Sequence, residues 1–322
     1  MQNLVTVFGG SGFIGGQTVR ALARKGWRIR VAVRQPHLAY EMRLHGDVGQ
    51  IDVVQANIRN EASVRRALVG ATACVNLVGV LYETGRQGFQ SLHVMGASTV
   101  AKAARDEGVE RLVQMSALGA DAESPSKYAR TKALGEDAVR QVYADAVIAR
   151  PSIVFGPQDD FFNRFAAMAN FTPVLPLVGA DTRMQPVFVG DVGRAIAEMA
   201  TSPAAAGQTY ELGGPARFTF RELMQLMLAE THRRRLLLPL PFGVAGLIGK
   251  GGDLIAGLGL KPPLTADQVE MLRADNVASG KAPGLAELGI TPVTLEAVLP
   301  TYLYRYRRGG QFADQEENPI PA

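Results

Sequence analysis

The chain has 322 residues, 47% of them hydrophobic and 20% charged, which is enough apolar material for a large core and excludes disorder along its whole length. Its net charge of +4 favours an anionic ligand or surface but falls short of a nucleic-acid-binding protein, and no aromatic-rich basic stretch accompanies it. A single cysteine, Cys74, excludes a disulfide framework and fits a reducing compartment, and four scattered histidines leave a metal site without visible ligands.

Residues 5–16 read VTVFGGSGFIGG: a β-branched and aromatic run, then Gly9-Gly10-Ser11-Gly12, then Phe13-Ile14-Gly15-Gly16 opening a helical pattern. A strand that turns on glycines into a helix brings backbone N–H groups and the positive end of a helix dipole to one point, which suits a pyrophosphate. Gly9, Gly12 and Gly15, three apart, take the roles of tight turn, close phosphate approach and close helix-on-strand packing. Ser11, Phe13 and Ile14 belong to the same cofactor-binding turn.

Residues 28–34 form the second strand, whose end faces the adenosine ribose in a dinucleotide site. An acidic residue there would bind the 2′-OH, but this chain has Arg34. A guanidinium pairs bidentately with a 2′-phosphate that a carboxylate would repel, which favours NADP(H) over NAD(H) and over the plainer reading of a solvated arginine. A third strand at 51–55, a short helix at 61–69 and an apolar strand at 73–80 follow, the last covered on both faces. Val78 and Gly79 lie where that strand reaches the cofactor; Asn76 either does the same or is satisfied inside the sheet. A helix over 89–106 leads to a fifth strand at 111–115, ending at Ser116. This alternation predicts an α/β fold, a doubly wound parallel sheet of Rossmann type with helices on both faces.

Residues 126–142 are predicted as a helix that places Tyr128 and Lys132, four apart, on one face. A phenol near pKa 10 needs a neighbouring ammonium to act at neutral pH, and Lys132 can supply it while bonding the nicotinamide ribose. Ser116 can hold a substrate carbonyl or hydroxyl.

With the glycine turn, Ser116, Tyr128-x-x-x-Lys132 and the later Arg150-Pro151-Ser152-Ile153-Val154-Phe155-Gly156-Pro157, the chain resembles the extended and atypical branch of the short-chain dehydrogenase/reductase superfamily over about its first 230 residues. The resemblance implies that Pro151 and Ile153 border the nicotinamide. VFGGSGFIGG, the Arg34 strand end, SALGADAESPSKYARTKALGE and RPSIVFGPQDDFFNRF together are similar to the nucleotide-binding accessory subunits of respiratory complex I, in a bacterial form. That likeness implies tightly held NADPH without established turnover, the other complex I subunits as partners, and a peripheral place on the cytoplasmic side of the inner membrane. Two departures stand out. Asn57 replaces an aspartate common near the adenine, and His93 replaces an asparagine that helps organise the active site.

Residues 160–170 are predicted as a helix, 172–178 as a proline-punctuated loop, and 184–189 with 191–199 as the strand and helix that return to the sheet. Arg233-Arg234-Arg235 then runs into LLLPLPFGVAGLIG and on to Leu260. The uncharged stretch is too short to span a bilayer, which takes about 20 residues. It reads as a buried lid or as an interfacial segment on anionic lipid. The expected organisation is a Rossmann domain over 1–158, completed by about 184–200. A smaller C-terminal α+β subdomain takes 159–183 and 201–308, and 309–322 form a polar, flexible tail. The N-terminus enters a strand at once, so no secretory signal peptide is expected. The expected function is an NADPH-binding, non-catalytic accessory subunit, with Tyr128, Lys132 and Ser116 vestigial. The rivals are an NADP-dependent reductase, epimerase or dehydratase using those residues, and a redox-sensing module.

Overall fold

The computed structural model describes residues 3–85 and 87–312. Six strands alternate with helices: β1 (Leu4–Phe8), β2 (Arg28–Val33), β3 (Ile51–Gln55), β4 (Ala73–Asn76), β5 (Arg111–Met115) and β6 (Val147–Pro151), the last expected from the sequence at 144–149. They pair in the order β6-β5-β4-β1-β2-β3, with Thr209–Leu212 added beside β6, and every pairing is parallel. The order reverses between β1 and β4, so a crevice opens at their carboxyl ends, where the glycine turn lies.

Both faces of the sheet are apolar because alternate residues of each strand serve different cores. Val5, Val7, Val31, Val75 and Val113 pack under α1 (Phe13–Arg24) and the helix Val189–Thr201. Phe8, Ala32, Cys74 and Leu112 pack under α2 (Glu61–Leu68), α3 (Ala97–Asp106) and α4 (Lys127–Val142). A third core, built on Phe155, Phe162, Leu177, Met184, Phe220 and Leu303, holds the smaller unit together.

Several expectations are corrected. The stretch 172–178 is not a loop: Val174–Val178 is a strand paired in parallel with Leu236–Leu240. Pro176 and Pro239 are tolerated because each strand of this two-stranded sheet keeps a free edge. The strand expected at 184–189 does not return to the sheet. Pro186, which lacks a ladder donor, divides it into Arg183–Met184 and Val187–Phe188, each paired elsewhere. Thr209–Leu212, assigned on sequence to the smaller subdomain, is the seventh strand of the main sheet. β4 stops at Asn76 rather than at residue 80. The helix expected over 89–106 begins as a π-helical segment, Gln90–Gly96, before α3.

The lid expectation also fails. Phe242–Gly257 is a helix that buries only Ala245, Gly249, Gly252 and Ala256. Val244, Leu247, Ile248, Leu254 and Ile255 form an exposed stripe on its other side, continued by Leu258 and Leu260. Among the described residues no helix is long and apolar enough to cross a membrane. Of the tail expected from Gly309, Gly310–Phe312 form a single turn and residues 313–322 lie outside the described residues.

Candidate functional site

The turn after β1 has the shape its glycines require. Gly9 has φ +76°, and a Cβ there would also press on the Leu77 and Val78 backbone at 3.3 Å. A Cβ at Gly15 would stand 2.4 Å from the Gly9 carbonyl oxygen, so only glycine lets α1 sit directly on the turn. α1 starts at Phe13 with Gly12 as its N-cap, without a side-chain cap and without an acid in its first turn. Its open end, with Ser11 and Gly12 exposed, fits a pyrophosphate, and Ile14 continues the first turn.

Arg34, expected to meet a 2′-phosphate, lies exposed one residue past β2 and makes no ion pair among the described residues. Asn57 is half-buried, and its Oδ1 accepts from the Arg59 N–H at 3.1 Å, so part of the side chain stabilises the turn after β3. Asn76 is not a cofactor contact. It is fully buried, donates to Gln114 Oε1 at 2.8 Å and accepts from Val78 N–H at 3.2 Å.

At the other end, a Cβ on exposed Gly79 would lie 3.2 Å from Lys132 Nζ and 3.5 Å from His93 Nε2. Thus Gly79, Lys132 and His93, apart in sequence, meet at the carboxyl edge of the sheet. Lys132 Nζ stands 5.7 Å from the Tyr128 ring centre. Burial lowers the Lys132 pKa to about 8, opposed by the nearby Glu136 carboxylate. Burial, then Asp267, hold the Tyr128 phenol above its usual value. Pro151 ends β6 buried, and half-buried Ile153 follows it at the same edge, its carbonyl accepting from Val187 N–H at 2.9 Å.

Residues 5–213 match the NAD dependent epimerase/dehydratase family. The chain belongs to that family. It is 36% identical over 323 residues to mouse mitochondrial NADH dehydrogenase (ubiquinone) 1 alpha subcomplex subunit 9, covering 99% of this chain and 84% of the mouse protein. It is 31% identical over 226 residues to a ceramide reductase of Caulobacter vibrioides, covering 70% and 69%. The solved triphenylmethane reductase of Citrobacter sp. superposes with a TM-score of 0.75 at 19% identity, covering 93% and 99% of the two chains, which shows a shared fold.

This epimerase/dehydratase-family site contains residues that sequence reasoning missed. Ser116 is brought to the edge by β5, but its hydroxyl donates to buried Glu136, which Arg150 grips through two bonds of 2.8 and 2.6 Å. Tyr128, Lys132 and Glu136 recur every fourth residue along α4, so the spacing that joins the first two in the sequence also carries the third.

His93 occupies the inner side of the π-helical segment, stacked on Phe89 at 5.2 Å and edge-on to Tyr128 at 5.5 Å. Val80 N–H donates to its Nε2 at 3.2 Å, so Nδ1 carries the proton and donates to Thr131 Oγ1 at 3.1 Å. Thr131 in turn donates to the Tyr128 carbonyl at 3.0 Å. Burial and the neighbouring Lys132 push the His93 pKa down to about 3, so the ring is neutral at physiological pH.

Proposed function

We propose that this protein binds NADPH without turning it over, as an accessory subunit of the bacterial respiratory complex I, NADH:quinone oxidoreductase. The observation that carries the reading is the bond from Ser116 to Glu136. A serine that donates to a substrate carbonyl needs its hydroxyl proton, whereas this proton is committed to a buried carboxylate already paired with Arg150. A tyrosine that acts as acid or base needs its pKa brought down, and here burial drives it up. Relatedness over 99% of the chain to a complex I subunit supports the assembly. Gly9, Ser11, Gly12, Phe13 and Ile14 would hold the pyrophosphate, Gly15 the packing behind it, Arg34 the 2′-phosphate, Val78 and Gly79 the ribose, and Lys132 with Pro151 and Ile153 the nicotinamide end. NADPH, when bound, supplies a hydride donor; in this reading it serves as a structural or redox-sensing ligand.

The exposed stripe supports a peripheral place on the cytoplasmic face of the inner membrane. Leu247, Leu254 and Leu258 are 71–74% exposed, each forgoing burial worth about 1.5–3 kcal/mol. Of the arginine triplet, Arg233 and Arg235 donate to the Tyr306 and Ala169 carbonyls, while Arg234 and Lys250 are exposed and free to meet anionic lipid.

The decisive experiment is purification of complex I from membranes of the source cells. The protein should co-purify with NADPH bound; recovery of the free protein with steady NADPH oxidation on a carbonyl substrate would overturn the reading. That second outcome would match the reductase alternative, which is favoured by the intact Tyr128–Lys132 pair and by the likeness to a ceramide reductase.

A further inference from the structure

The first turn of α4 is held by a residue far away in the chain. The Asp267 carboxylate accepts from Ser126 Oγ at 2.9 Å, Lys127 N–H at 2.6 Å and Tyr128 N–H at 3.1 Å. Ser126 already caps this helix locally through Ala129 N–H, so Asp267 adds a second, distant anchor at the positive end of the dipole. Further along the same segment, Asn276 takes the Ser152 hydroxyl at 2.7 Å and donates to the Leu118 carbonyl at 3.4 Å. Residues 264–276 thus grip the start of the Tyr128–Lys132 helix and the loops after β5 and β6 together.

The outer side of this strap carries the exposed apolar helix, backbone against backbone. A Cβ at Gly249 would stand 2.7 Å from Ala266 N, and one at Gly252 only 1.8 Å from the Leu264 carbonyl oxygen. Ala266 N–H also donates to Asp253 Oδ1 at 3.4 Å. The two elements pack too closely for a side chain to fit between them at these two positions.

We infer that residues 264–276 couple occupancy of the nucleotide site to the seating of the helix Phe242–Gly257, with Asp267 as the latch; the inference rests on the nucleotide reading above. A nucleotide held by Lys132 fixes the first turns of α4 in the position that Asp267 requires, so it binds the latched state better. By reciprocity, docking of the apolar helix on an anionic lipid surface tightens nucleotide binding. The part that senses NADPH and the part that meets anionic lipid are then one mechanical unit.

The test is amide hydrogen exchange on the full chain, with NADPH binding measured in parallel by fluorescence titration. Saturating NADPH should slow exchange over 244–258 by about fivefold or more in the wild type. In Asp267→Ala, NADPH should still bind, since the glycine turn and Arg34 are untouched, but the slowing should disappear. Should Asp267→Ala not fold, Asp267→Asn keeps the shape with one acceptor, and the slowing should be reduced. Wild type that binds NADPH with no change over 244–258, or a folded variant with undiminished slowing, would overturn the coupling alone. Wild type that binds no NADPH would overturn the nucleotide reading as well.

Discussion

Ser116 donates its hydroxyl to Glu136 Oε1, and Arg150 holds both oxygens of the same carboxylate. Glu136 is 3% exposed and Arg150 27%, so the pair is only partly screened by solvent. Glu136→Gln removes the charge but keeps the shape, leaving Arg150 uncompensated. Loss of one partner of a buried pair costs about 3–5 kcal/mol, and the exposure of Arg150 reduces this to about 2 kcal/mol. Urea unfolding should show that loss, and unchanged stability would remove Glu136 as the anchor of Ser116.

Arg34→Ala should weaken NADPH binding by about 10- to 100-fold, the worth of a charge-assisted bond to phosphate, and leave NADH binding nearly unchanged. Calorimetric titration with both nucleotides measures this. Equal loss for the two would refute a 2′-phosphate role.

The glycines of the turn should separate binding from folding. At Gly12 a Cβ would meet only the Gly9 carbonyl, at 3.3 Å, so Gly12→Val should fold and yet block approach of the phosphates. At Gly15 the backbone is 2.4 Å away, and Gly15→Val should lose stability by about 2 kcal/mol or more together with binding. Circular dichroism melting alongside nucleotide titration distinguishes them; full binding by Gly12→Val would contradict the phosphate turn.

Lys132 gives stability a pH signature. Its folded pKa, about 8, lies below the ordinary lysine value of 10.5. Between those two values the unfolded chain binds more protons, so this residue's contribution rises with pH. Below pH 8 both states are charged and the cost of burying the ammonium is felt in full. Wild-type stability should therefore gain on Lys132→Met as pH climbs from about 8 to 10.5, as read from paired denaturation curves. A pH-independent difference would mean that Lys132 is not desolvated.

Leu247→Glu with Leu254→Glu should leave stability within about 0.5 kcal/mol, because both side chains are already exposed. The same variant should reduce sedimentation with anionic vesicles at least about tenfold, and wild-type binding should fall with salt. Equal sedimentation of variant and wild type would exclude the stripe from membrane contact.

Much of this was legible in the sequence for a local reason. The glycine turn, Arg34 at a strand end, and the Tyr128–Lys132 spacing are set by neighbours within a few residues, where strand and helix periods act directly. Residues 111–115 and the helix after Ser126 appear where hydrophobic periodicity puts them. The π-helical turn around His93 was not legible, because the His93 carbonyl packs against Gly135 of α4, a neighbour remote in the sequence. Nor was the strand Val174–Val178, whose prolines spoke against it and whose partner lies some 60 residues on.

The sequence by itself determined a doubly wound α/β fold and the alternation of its strands and helices along the first half of the chain, since alternating apolar periods and glycine geometry are properties of short segments. Only the tertiary structure decided what the site can do and what faces outward. Asn76 turned inward to Gln114, Ser116 was taken by Glu136, and Asp267 reached across to the start of α4. The apolar stretch after Arg235 proved exposed because its small residues, not its large ones, make the close contacts with the protein. Each of these outcomes depends on which distant groups meet, and hydrogen-bond satisfaction and close packing are settled only when they do.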